Sequence, residues 1–272
     1  MKNRAARIFG VLFFAIGSGL QPYANADENS NLAQELANPI ASLISVPIQV
    51  NFDDNYGADD EGTRTTVNIQ PVIPFEFNDD WNLITRTIAP IIYQDDVIPG
   101  EGSQSGLGDI NMSLFFSPKK PSESGLIWGV GPVFVLPTAT DDLIGSEKWS
   151  VGPAAVALTV RGPWTVGGLV NHVWSVAGDD DRDDISNTFV QPFASYTWPS
   201  AWTASITSES NYNWETEKWS VPVNLGLSKL VKFGRLPVNL QGGVGYWAES
   251  PDGGPEDLRF RLTATLVLPK SR

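Results

Sequence analysis

Residues 258–268 read Leu-Arg-Phe-Arg-Leu-Thr-Ala-Thr-Leu-Val-Leu, apolar at nearly every second position and mostly polar between. Strand side chains point alternately to opposite faces, so this is a strand with one apolar face and one wet face. The same period runs through 44–52, 65–77, 81–94, 109–117, 126–136, 149–160, 164–176, 188–198, 202–214, 219–231 and 236–247. It blurs in 81–94, 149–160 and 164–176, where apolar residues occupy both faces. The total is even, as single-chain bacterial outer-membrane barrels require. Most segments reach the ~9–11 residues that cross a bilayer at a tilt. The expected fold class is all-β, a transmembrane antiparallel barrel of about 12 strands with short periplasmic turns and longer acidic outer loops.

A leader precedes the strands. Lys2, Arg4 and Arg7 form a basic head, 8–20 is apolar, and Ala24-Asn25-Ala26 is a small-residue cleavage site. The apolar run is shorter than the ~20 residues of a spanning helix, so 1–26 reads as a cleaved signal peptide for export. Removing its three basic and no acidic residues takes the formal net charge from −13 to −16. So acidic a chain does not seek nucleic-acid phosphates. Cysteine is absent, which excludes thiol chemistry and cysteine metal sites. Residues 27–43 form a separate lead-in. Leu32 and Leu36 lie four apart before Pro39, as in a short helix, and the segment is expected in the periplasm or as a plug. The barrel then occupies 44–272.

Connection lengths set the orientation. Asn78-Asp79-Asp80, Arg161-Gly162-Pro163, Pro199-Ser200-Ala201 and 232–235 are tight, with 118–125 longer on the same side, while 53–64, 95–108, 137–148, 177–187 and 248–257 are long and 215–218 alone is brief on theirs. Short turns belong in the periplasm and long loops outside. Trp81, Trp128, Trp164, Trp198 and Trp202 flank the short-turn side; Trp149, Trp174, Trp214, Trp219 and Trp247 flank the other. Two indole girdles are what amphipathic rings form at two membrane interfaces. Nine prolines (47, 71, 74, 90, 132, 153, 192, 222 and 237) conflict with this picture, because proline cannot donate to a ladder. Bulges are expected at some of them.

Signals for catalysis are poor. His172 is the single histidine, and Ser175 falls on the opposite strand face from it. The run Asp179-Asp180-Asp181-Arg182-Asp183-Asp184 opens like a calcium loop, but Asp184 and Val190 stand where an EF-hand needs Gly and Glu. The expectation is no enzyme, no cofactor and no metal. The polar strand faces are more telling. Gln49, Asn51, Asn68, Gln70, Asn111, Asn211 and Gln241 should face the lumen, with the charged residues Arg259, Arg261, Arg86, Glu76, Glu209 and Asp109 as selectivity candidates. Twelve strands lie between a filled 8-stranded barrel and an open 16–18-stranded porin, so a narrow or plugged pore follows.

The segments LAQELANPIASLISVP (32–47), NIQPVIPF (68–75), DDWNLITRTIAPIIYQDD (79–96), GLGDINMSLFFSPKK (106–120), LIWGVGPVFVLPTATDD (126–142) and NHVWSVAGDDDR (171–182) add a resemblance. The chain resembles a bacterial outer-membrane transporter family labelled for the MetA pathway of phenol degradation, whose members often carry the misleading label neuromedin U. That resemblance implies a barrel, uptake of hydrophobic or aromatic compounds, and no catalytic residues.

The sequence therefore suggests an outer-membrane channel for passive passage of small, hydrophobic or aromatic molecules. The alternative is a sealed barrel serving as an envelope scaffold or adhesin through its loops. Expected partners are outer-membrane lipid, lipopolysaccharide and a small solute.

Overall fold

A computed structural model describes residues 24–269. The expected leader lies outside the described residues, apart from its last three positions, which open a helix. Helix α1 is Ala24–Glu35. The strands are β1 (Ile44–Tyr56), β2 (Gly62–Ile69 and Val72–Glu76), β3 (Trp81–Asp95), β4 (Gln104–Leu107 and Ile110–Pro118), β5 (Leu126–Leu136) and β6 (Lys148–Arg161). They continue as β7 (Trp164–Gly178), β8 (Ser186–Thr197), β9 (Trp202–Ser208 and Ser210–Asn213), β10 (Lys218–Phe233), β11 (Leu236–Glu249) and β12 (Leu258–Leu268). Each pairs antiparallel with its sequence neighbours, and β12 pairs with β1 from Ile44↔Leu268 to Asp53↔Arg259. The result is a closed antiparallel barrel of twelve strands. Closure leaves no sheet edge.

The two faces sort as the alternation requires. On β12, Leu258, Phe260 and Leu262 point outward and Leu262 is 64% exposed, while Arg261 between them is 6% exposed. The polar set Asn51, Asp53, Gln70, Asn82, Gln94, Ser113, Ser117 and Asn224 is buried inside. The interior is not uniformly polar. Val72, Ile84, Phe115, Val133, Val156, Leu158, Leu169 and Val173 form one apolar cluster along the inner wall from β2 to β7. This explains why the alternation blurs in the segments that became β3, β6 and β7: there both faces of the wall are apolar.

Strands run further at the long-loop end than periodicity suggests. β1 reaches Tyr56, and Gln104–Leu107, expected as loop, pairs with β3. Polar contacts hold these extensions. Arg64 donates from Nη1 to the Tyr56 hydroxyl at 2.7 Å and from Nε to Gln94 at 2.9 Å, and Gln94 donates to Gln104 at 2.8 Å. Such residues carry no apolar period, so a hydrophobic pattern ends before the ladder does.

The prolines find structural accounts. Pro132 of β5 lies directly opposite Pro153 of β6. On the far side of each, the ladder skips pairs: β4–β5 jumps from Ser113↔Val133 to Phe116↔Val130, and β6–β7 from Val151↔Trp174 to Ala154↔Asn171. The preceding glycines allow the neighbouring strands to close over these gaps. A Cβ on Gly131 would stand 1.8 Å from the Leu114 carbonyl oxygen, and one on Gly152 would stand 1.7 Å from that of His172.

Trp247 departs from the expected girdle. Tyr246 is the outward residue, and the Trp247 indole turns inward, donating to Asp53 at 2.9 Å beneath the Arg259 guanidinium. Trp149, Trp164, Trp174, Trp198, Trp202, Trp214 and Trp219 are exposed on the outer surface.

Candidate functional site in the barrel lumen

Three strand interruptions carry polar side chains, Gln70 and Glu209 in the lumen and Asp109 at the long-loop end, and each coincides with proline. In β2 the break is Gln70-Pro71, opposite Pro47; the Gln70 amide reaches the Pro47 carbonyl at 2.8 Å. In β4 it is Gly108-Asp109, and the Gly108 amide bonds the Pro90 carbonyl at 2.8 Å. In β9 it is Glu209, and the pairs Ser208↔Val223 and Asn211↔Ser220 put Pro222 across from it. A proline facing a ladder position offers no N–H, so the partner strand loosens there. The prolines that conflict with regular strands thus mark where Gln70, Asp109 and Glu209 sit.

Arginines and carboxylates meet across the lumen. Arg261 of β12 donates to Glu209 of β9 through Nη1 at 3.0 Å and Nη2 at 2.6 Å, and to Asn51 through Nε at 2.7 Å. Arg259 grips Asp53 of β1 with Nε at 2.7 Å and Nη2 at 2.9 Å, its charged plane 4.3 Å from the Trp247 ring centre. Asp53 is only 2% exposed. Bidentate charged contacts of this kind fix geometry as well as charge. Among the described residues Arg86 of β3 donates a hydrogen bond only to the Gln70 side-chain oxygen, at 3.2 Å.

A cavity of about 260 Å³ lies below this belt. Arg86, Glu209, Arg261, Gln49, Gln70 and Gln241 border it on the polar side. Val72 and Phe193 face it from the wall. Ala33, Leu36, Asn38 and Pro39 close its short-turn end. Several contacts hold this lead-in segment, and Ile40, buried among Val72, Ile84 and Phe115, ties it to the inner wall. Leu32, Ala33 and Leu36 pack with Ala201 and Leu230, Gln34 donates to the Gly162 carbonyl at 2.7 Å, Lys232 pairs with Glu28 at 3.5 Å, and Asn82 bonds Ser42 at 3.2 Å.

The remaining sequence candidates lie at the two ends. Glu76 is at the short-turn rim, its side chain 78% exposed and 3.5 Å from Lys119. Asp109 anchors the loop after β5, accepting from the Ser146 amide at 2.7 Å and from the Ala139 amide at 3.2 Å. The acidic run after β7 is tied down by Asp184, which takes bonds from Ser175 at 3.0 Å and Lys148 at 3.4 Å. The Ser175 hydroxyl and then the Lys148 ammonium hold the Asp184 carboxyl below the usual carboxylate range. Arg182 reaches the Asp142 carbonyl at 3.0 Å. Among the described residues no cluster of His, Asp and Glu could hold a metal. His172 points outward, with Nδ1 2.7 Å from Thr188 and its ring against Trp174. Periodicity did not single out Asp53 or the Gln94–Gln104 pair. Continuing Gln49, Asn51, Asp53 at a spacing of two would have found the first.

The fold defines an outer-membrane-type barrel with a charged, partly occupied lumen. No protein-family model matches the sequence, and no curated protein matches it. Solved structures do. The chain is similar to an outer membrane channel from Pseudomonas putida, with a TM-score of 0.64 at 16% identity over 85% of this chain and 98% of that one. A KdgM porin in complex with oligogalacturonate matches at a TM-score of 0.47 and 11% identity, over 83% of this chain and 100% of that one. Outer membrane phospholipase A from Escherichia coli matches at 0.47 and 15%, over 90% and 98%. The last corrects the expectation that the chain is no enzyme: this architecture includes a phospholipase, so the barrel itself does not exclude catalysis. At these identities the likeness is one of fold.

Proposed function

We propose that the chain is an outer-membrane channel for passive passage of small molecules. The observation that carries this reading is the lumen itself, a closed barrel lined by charged and amide side chains around a cavity large enough for a solute. The apolar outer face fits the hydrocarbon of the membrane, with exposed indoles at its borders. The similarity in fold to the Pseudomonas putida channel supports the same reading. In this reading the short turns and both ends of the barrel chain are periplasmic and the acidic loops face outward. Residues 27–43 act as a plug at the periplasmic mouth, and Arg86, Glu209, Arg259 and Arg261 set charge preference.

Single-channel recording in planar bilayers tests it. The full chain should give discrete low-conductance events. Absence of conductance with the barrel intact would favour the sealed scaffold, a reading helped by the segment seated in the short-turn mouth. Cysteines at Asp180 and at Asp79 test orientation. On intact cells Asp180→Cys should react with an impermeant reagent and Asp79→Cys should not.

A further inference from the structure

The charges of the central belt do not balance. Arg259 has Asp53 and Arg261 has Glu209, each held by two hydrogen bonds. Among the described residues Arg86 donates a hydrogen bond only to the neutral Gln70 side chain and is in no direct ion pair; Glu209 attracts it across the cavity, but both Glu209 oxygens are engaged by Arg261. A guanidinium carries five N–H donors, so most of its donors remain for a ligand. It borders the cavity, and the opposite character lies close by. Val72 is its direct cross-strand neighbour, and Leu36 and Phe193 line the same space. At about 260 Å³ the cavity falls just under the ~300 Å³ at which pockets for drug-sized ligands begin.

We propose that this cavity is a binding site for a small carboxylate with a short apolar body, its charged end on Arg86 and its body on Leu36, Val72 and Phe193. Planar donors suit a carboxylate, which can accept two of them at once. Glu209 is the carboxylate on this cavity, but Arg261 already holds both of its oxygens, so a cation would meet two guanidiniums against one carboxylate, and a neutral solute would leave the Arg86 donors without a charged acceptor. The acidic outer loops oppose entry of an anion, but they are solvated and their field fades within the ~8–10 Å Debye length. This deepens the channel reading and rests on it.

The test is calorimetry on the purified full chain in detergent, with sodium pentanoate, pentan-1-ol, pentylammonium chloride and sodium acetate as probes, run beside bilayer recording. Pentanoate should bind. The alcohol and acetate should bind at least about tenfold more weakly, and pentylammonium not measurably. Arg86→Gln should lower pentanoate affinity at least about tenfold, the effect of losing one charged contact. Arg86→Lys should lose less. Phe193→Ala should narrow the gap between pentanoate and acetate. Equal binding of pentanoate and pentylammonium, or pentanoate affinity unchanged in Arg86→Gln, would overturn the site. If Arg86→Gln fails to fold, the wild-type probe ranking and Arg86→Lys decide. Conductance with no pentanoate binding would remove the site and keep the channel. Pentanoate binding with no conductance would keep the site and remove the channel.

Discussion

Arg261 and Glu209 face each other across a chord of the barrel, joined by two hydrogen bonds of 3.0 and 2.6 Å although two strands, β10 and β11, lie between their own. The pair braces the lumen where Pro222 has opened the β9 ladder. Glu209→Gln should destabilise the barrel by about 1–3 kcal/mol, because the Arg261 donors are left short of a charged acceptor. It should also shift ion preference toward anions. Arg259→Ala combined with Arg261→Ala should shift it toward cations, since Asp53 and Glu209 then face Arg86 alone. Reversal potentials under a salt gradient measure both, and unchanged values with conductance intact would remove these residues from selectivity.

Lipid-facing and lumenal neighbours should respond differently to one added charge. Leu262→Arg places a guanidinium near the centre of β12 on the outer face and should cost about 2–4 kcal/mol. Thr263→Arg, one residue on and facing the cavity, should cost less than half of that. Urea-dependent refolding into bilayers reads the difference. Equal losses would reverse the assigned faces.

The glycine–proline pairs of β5 and β6 predict a local steric effect. Gly131→Ala and Gly152→Ala should each cost about 1–3 kcal/mol, because the new methyl meets a neighbouring backbone carbonyl. Gly242→Ala is the comparison. Its Cβ would find nothing nearer than a Leu262 methyl at 4.0 Å, so the change should fall within about 0.5 kcal/mol. The same refolding assay ranks the three.

Removing residues 27–43 should raise single-channel conductance by opening the short-turn mouth, with the barrel still folded. The strand ladders do not pass through this segment, which is held by contacts of Gln34, Glu28, Ser42 and the leucines and by Ile40, buried in the inner-wall cluster. An unchanged conductance would show that the segment does not limit flow.

The loop after β7 should loosen in acid. The Asp184 carboxyl is held below its usual range by Ser175 and Lys148, so its anchoring is present above the unfolded-chain value and is lost as pH falls through the lower folded value. Proteolysis within 179–185 should therefore accelerate below the ordinary carboxylate range in the wild type. In Asp184→Asn it should already be fast at neutral pH and change little with acid.

The last strand shows how much was legible in the sequence. Leu258, Phe260 and Leu262 faced out and Arg259 and Arg261 faced in, as the period of two requires. That period is local backbone geometry, written residue by residue. Strand number followed for the same reason, as did the separation of short turns from long loops. Where the rule faltered, in β3, β6 and β7, the inner wall is apolar, and a sequence with two apolar faces carries no facing signal. Trp247 turned inward because its indole found Asp53, a partner 194 positions away. Closure of the barrel decided which lumenal groups meet. Arg261 found Glu209, Arg259 found Asp53 and Arg86 found Gln70, through separations that no local period encodes. The seat of residues 27–43 was decided the same way, by a mouth that exists only once twelve strands have joined.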